Sequence, residues 1–184
     1  MIQPIYLYGS EVLRAWAQEA DLSDKEGLAA LVQDLKDTLV HSEGCGLAAP
    51  QIGVGKRVLI VDGTGMTDVY PYLEGFKRTM INPVIVEESE KTVEYSEGCL
   101  SIPGIYCDVR RPAAMTVEYY DESGEKVTEE LDKFACRMVQ HEMSHLDGDM
   151  FVDHVAPIRK KIISKKLLGI SKGKVHTRYN TKIK

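Results

Sequence analysis

Apolar residues recur at every third or fourth position across residues 24–42: Leu28, Leu31, Val32, Leu35 and Leu39. That spacing predicts a helix, with Ser23 or Asp24 able to cap its start. Gly44 follows where a left-handed cap would end it. The next stretch, Gly44-Cys45-Gly46-Leu47-Ala48-Ala49-Pro50-Gln51, reads as too small and too Gly-rich for a core element. The pattern then changes to short apolar runs. Residues 57–62, 79–87, 92–96, 105–110, 114–120 and 126–130 are strand candidates, separated by turn signals such as Asp121-Glu122-Ser123-Gly124. Residues 63–75 are Gly-rich and polar, a loop. Residues 131–146 and 155–168 predict two more helices, the last with Pro157 in its first turn. Strands in a run, bracketed by helices, point to an α+β domain rather than alternating βαβ units.

Composition narrows the class. The chain has 184 residues, 43% hydrophobic and 28% charged, with net charge −5. That suits one globular domain large enough to bury a core without disulfides, and it excludes a disordered chain. No apolar run reaches the 18 or so residues of a membrane span. The N-terminus lacks the pattern of a secretory signal, so a cytoplasmic location with reduced thiols is expected. Charge is unevenly placed. Ten of the 23 basic residues lie from Arg159 onward, and none of the 28 acids follows Asp153. The end therefore carries +10 and the rest −15. Such asymmetry fits either a solvated helix with a frayed end or an arm that meets nucleic acid.

The candidate chemistry lies in the second long helix. His141-Glu142-Met143-Ser144-His145 places two imidazoles one turn apart, about 6 Å along the axis, on one face. Both can reach one metal ion, and Glu142 sits beside them, close enough to take a proton from a metal-bound water. Leu131, Phe134, Ala135 and Met138 continue the same stripe, so the site faces inward. The plain alternative is a pair of core histidines bonded to backbone. A catalytic metal needs a third protein ligand. Asp147, Asp149, Asp153 and His154 follow the motif, but His154 comes nine residues after His145, not the six of the extended protease motif. The cysteines offer other candidates. No two of Cys45, Cys99, Cys107 and Cys136 show Cys-x-x-Cys spacing, which argues against a zinc ribbon. Cys136 points to another face of the helix, and Cys107 reads as a buried strand thiol. Cys45 and Cys99, in Gly-rich segments, remain the open choices.

Three segments in order resemble the peptide deformylase family: residues 44–51, Glu97-Gly98-Cys99-Leu100-Ser101, and Gln140-His141-Glu142-Met143-Ser144-His145-Leu146-Asp147-Gly148. The resemblance spans roughly residues 1–168. It implies a catalytic domain at 1–170 with a basic tail at 171–184. The implied fold has short antiparallel strands in small sheets around a central helix carrying the His-Glu-x-x-His motif, between an N-terminal and a C-terminal helix. The implied reaction is hydrolysis of the N-formyl group from N-formylmethionine on new polypeptides, with release of formate. By the family pattern Cys99, His141 and His145 hold the metal and a bound water takes the fourth position. That metal would be Fe2+ natively, with Zn2+, Ni2+ or Co2+ able to replace it. Glu142 would be the general base toward the bound water, and Gln51 and the Leu100 N–H would stabilise the oxyanion. Gly46, Cys45 and Gly98 would meet the substrate, and Met138 and the His141 ring would help line the methionine pocket. Glu97 would orient a partner such as an arginine, or else be an exposed turn carboxylate. Ser144 departs from the Asp usual in bacterial members, which bears on tuning of the site and helix packing rather than on the reaction. The ribosome is an expected partner through Arg159 to Lys184; DNA and membranes are not. Two rivals share the residues: a metalloprotease cutting internal peptide bonds, and a structural zinc module whose fourth ligand would be Cys45 or His154.

Overall fold

The computed structural model describes all residues 1–184. Strand β1 (Ile5–Tyr6) leads to helix α1 (Lys25–Ser42), strand β2 (Gly46–Ala48) and strand β3 (Val58–Asp62). Four longer strands follow: β4 (Lys77–Glu88), β5 (Thr92–Cys99), β6 (Ile102–Pro112) and β7 (Ala114–Tyr120). Then come β8 (Lys126–Asp132), α2 (Lys133–Leu146), α3 (Pro157–Ser171) and a final short strand, β9 (Thr181–Lys182). The architecture is α+β. Five antiparallel strands form one sheet in the order β2-β3-β4-β7-β8, β5 and β6 form a hairpin, and β9 lies parallel to β1.

The periodicities explain the layers. In β3 alternate side chains serve two cores. Val58 and Ile60 pack with Leu28, Leu31, Leu35 and Leu39 of α1, while Leu59 and Val61 pack with Met138, Val139 and Met143 of α2. A strand covered on both faces reads as an unbroken apolar run, as residues 58–61 do. A third cluster joins Ile102, Ile105 and Val109 of β6 to Ile163, Leu167 and Ile170 of α3. Each such fully buried aliphatic side chain stabilises the fold by roughly 1.5–3 kcal/mol relative to exposure.

Several expectations need correction. Residues 46–48 form a strand, fully buried, although they read as too small for a core element. The left-handed residue at the end of α1 is Glu43, at φ 55°, not Gly44. At Gly44 a Cβ would sit 2.8 Å from Leu100 Cδ1 and 3.0 Å from Leu39 Cδ1, so a side chain there would have to push these two methyl groups aside. Asp24, not Ser23, caps α1, accepting from the Gly27 N–H at 3.0 Å. Leu131 belongs to β8, and α2 begins at Lys133. Strands β4 and β6 are long rather than short. Residues 172–184 do not fray. The Ile5 and Leu7 N–H groups donate to the Asn180 and Lys182 carbonyls, both at 2.9 Å. The loop at 63–75 packs too: Leu73 is buried, and Tyr70 stacks on Phe134 with centroids 4.6 Å apart.

Candidate metal centre

Helix α2 is buried well beyond the one inward stripe that its spacing predicts. Every residue from Cys136 to Met143 is buried, as are His145 and Leu146. It runs between the five-stranded sheet and the β5–β6 hairpin, which brings the three motifs together. Cys99 ends β5, facing the last turns of α2. The ligand atoms of Cys99, His141 and His145 all lie within 4.8 Å of one another, and Cys99 Sγ is 3.3 Å from His145 Nε2. In a tetrahedral site with ordinary zinc bond lengths, a sulfur and a nitrogen ligand stand about 3.6 Å apart. The cluster has that scale. Cys45 is not part of it, and His154 instead pairs with Asp149. A closed four-ligand site from these residues is therefore not assembled.

Glu97 organises the surroundings. It is buried in β5, which rules out the exposed turn carboxylate. Its carboxylate accepts from Arg111 Nε at 2.8 Å, Arg137 at 2.9 Å and His141 Nδ1 at 2.7 Å. Burial alone would raise its pKa, but the bonds from His141 and Arg111 outweigh that and hold it at about 2. With Nδ1 of His141 engaged, Nε2 is left for an ion, the usual way such a ligand is oriented. Arg137 is itself buried, and it also donates to the Val109 and Val93 carbonyls. Ser144 stands within this network, accepting from Arg111 at 2.9 Å and donating to the Gln140 carbonyl at 3.0 Å. Arg111 and Arg137 were not singled out in the sequence. Arg137 had a signal, since it lies one turn before His141 on α2, while Arg111 had none.

Glu142 is buried against β2. A Cβ on Gly46 would lie 2.5 Å from its Oε1, so the glycine makes room for this carboxylate. Its Oε2 has no hydrogen-bond partner, and burial pushes its pKa up to about 7. Burial, with His141 beside it, holds His145 well below its usual value. Burial also drives the Cys45 thiol, next to Glu142, up to about 11. Gln51 lies on the other side. Its Oε1 accepts from the Ala48 N–H at 2.9 Å, which turns Nε2 toward Ser101 Oγ at 3.1 Å and Cys99 Sγ at 3.5 Å. The Tyr106 ring covers Gly98, where a Cβ would meet it at 2.5 Å.

A half-buried thiol, two buried imidazoles, a carboxylate with a free oxygen and an aimed amide fit a divalent metal with an open position. The polypeptide deformylase family model matches residues 2–161. The chain is also 40% identical to the peptide deformylase of Fusobacterium nucleatum over 94% of both chains. It belongs to the polypeptide deformylase family. Solved deformylases share its fold. The enzyme from Thermus thermophilus superposes with a TM-score of 0.82 at 36% identity, over 94% of this chain and 99% of that one. The one from Plasmodium falciparum gives 0.82 at 33% identity, over 92% and 95%. Deformylases are metal-dependent hydrolases, and the Cys99, His141 and His145 cluster is a possible metal site of that kind.

Proposed function

We propose that Cys99, His141 and His145 hold one divalent ion, and that the chain uses it to remove the formyl group from N-formylmethionyl ends of newly made polypeptides, releasing formate. The observation that carries this is the convergence of the three ligand atoms beside a buried carboxylate with one unpartnered oxygen. When bound, the ion polarises the formyl carbonyl and makes water acidic enough to react near neutral pH. Imidazole and thiolate donors accept Fe2+, Zn2+, Ni2+ or Co2+ alike, and the likeness to deformylases puts Fe2+ first as the native ion.

The protein's own groups do the rest. Glu142 takes a proton at Oε2 and passes it to the departing amine. A carboxyl titrating at about 7 can do both near neutrality. The Gln51 amide and the Leu100 N–H receive the oxyanion; losing one such donor costs about 3–4 kcal/mol of barrier. Gly46 lies on an edge strand. The Asp62 N–H donates to Cys45 O, so by antiparallel alternation the polar groups of Gly46 face outward, away from β3. A substrate main chain can pair there as an added strand, which orients any peptide without selecting its side chains. Cys45, neutral and apolar, Met138 and the His141 ring line the methionine side of the site, and Gly98, whose missing Cβ leaves room for the Tyr106 ring, meets the substrate through its main chain.

The substrate is made in the cytoplasm at the ribosome. Arg159, Lys160, Lys161, Lys165 and Lys166 of α3 are exposed, as are Arg178, Lys182 and Lys184. These charges would meet ribosomal RNA phosphates. No helix is long and apolar enough to cross a membrane. The deciding experiment follows products. A deformylase liberates formate from formyl-Met-Ala and exposes no new internal amines in casein; the reverse outcome would establish the protease instead.

A further inference from the structure

The last ten residues alternate. Val175, Thr177, Tyr179, Thr181 and Ile183 are partly buried, while His176, Arg178, Asn180, Lys182 and Lys184 are exposed. Strand β9 lies in this stretch and is held parallel to β1. The segments flanking these two strands reach the turn that follows Cys99. Just after β1, the Tyr8 N–H donates to the Ser101 carbonyl at 2.8 Å. Two residues before β9, the Tyr179 hydroxyl donates to the Leu100 carbonyl at 2.7 Å. Gln51 Nε2 grips Ser101 Oγ from a third direction. Leu100 and Ser101 make the turn between β5 and β6, where Cys99 pairs with Ile102. The chain's two ends therefore clamp the turn that follows the metal thiolate.

The geometry points to Tyr179 as a positioning residue for deformylation: its hydroxyl, delivered by the segment leading into β9, fixes Leu100 so that the Leu100 N–H faces the developing oxyanion. This rests on the assignment of Leu100 as an oxyanion donor given above. Only φ and ψ separate a residue's N–H from its C=O. Holding the carbonyl therefore restricts the direction of the N–H, and a donor already aimed costs no reorganisation during reaction. Tyr179 is suited to this task. Burial, with Cys99 and Tyr106 nearby, pushes its hydroxyl up to about 12, so it donates throughout the working pH range. Its ring packs beside Leu100 against the cluster under α1, so packing and hydroxyl can be separated by mutation.

The test is Tyr179→Phe in the metal-loaded full chain, which keeps the ring and removes the hydroxyl. kcat for formate release should fall about 5- to 10-fold, with KM and metal content unchanged and the melting temperature lower by no more than about 2–4 °C. A companion protein carries the α-hydroxy acid of leucine at position 100, which replaces the Leu100 N–H with oxygen. It should lose kcat, and Tyr179→Phe should then cost little more. Unchanged kcat in Tyr179→Phe alongside a slowed ester protein overturns the role of Tyr179 while leaving Leu100 in place. A fast ester protein overturns both. A Tyr179→Phe protein that loses metal and melting temperature together with kcat shows a merely structural residue and also overturns the proposal.

Discussion

Replacing Gly46 by Ala tests how closely β2 is fitted to Glu142. The added Cβ would lie 2.5 Å from Oε1 and 2.9 Å from Cγ and Cδ of Glu142, whereas ordinary contact begins at 3.4 Å. The carboxylate, or β2, must give way by about 0.9 Å. Glu142 is buried and wedged against the sheet, so the shift falls on the group that moves the proton. A displacement near 1 Å can cost about 100-fold in rate. Stability should change less. Overpacking costs about 1–3 kcal/mol, and the alanine returns about 0.4–1 kcal/mol by restricting the unfolded chain. The melting temperature should therefore drop by only a few degrees. Steady-state formate release with matched metal content, beside a thermal melt, separates the two effects. A Gly46→Ala enzyme with wild-type kcat would refute the argument that this glycine exists to seat Glu142.

Other consequences can be measured in the same assays. Glu142→Gln should keep its metal and lose turnover, and full activity there would remove Glu142 as the proton carrier. Cys99→Ser should lose or change its metal, as read by elemental analysis; unaltered content would mean that another residue supplies the third ligand. Glu97 is held at about 2 against an ordinary 4.5, so its ionised form stabilises the fold. That contribution is complete above pH 4.5 and is lost as pH falls toward 2. Glu97→Gln leaves the buried Arg137 without its carboxylate, so it should lose about 3–5 kcal/mol at pH 7 by denaturant titration and flatten the decline between pH 4.5 and 2; an equal decline in both proteins would place the acid sensitivity elsewhere. Exchanging Lys160, Lys161, Lys165 and Lys166 for Gln should weaken ribosome binding and lower the salt slope by about 0.7–0.9 per lost phosphate contact. An unchanged slope would remove α3 from that role.

The sequence revealed the site better than its setting. The helical spacing of His141 and His145 and the order of the three motifs pointed to Cys99, His141 and His145, whose ligand atoms the fold brings within 4.8 Å of one another, because such chemistry needs particular residue types at particular intervals. β2 was obscure because three residues, two of them small, carry no periodicity. Glu97 looked ambiguous because its partners, Arg111 and Arg137, come from another strand and from α2, and only the fold brings them together. The C-terminal strand was visible in principle: Val175, Thr177, Tyr179, Thr181 and Ile183 alternate with polar residues. The run of lysines and arginines drew attention to charge instead. Those charges do face outward, and the alternate side chains face in.

The most direct test titrates the metal-free chain with Fe2+ under anaerobic conditions and follows formate release from formyl-Met-Ala together with circular dichroism. Activity should rise linearly and stop at one equivalent, while the chain stays folded throughout. Formate release that ignores the ion, or a chain that folds only as the ion is added, would contradict a catalytic centre built from Cys99, His141 and His145.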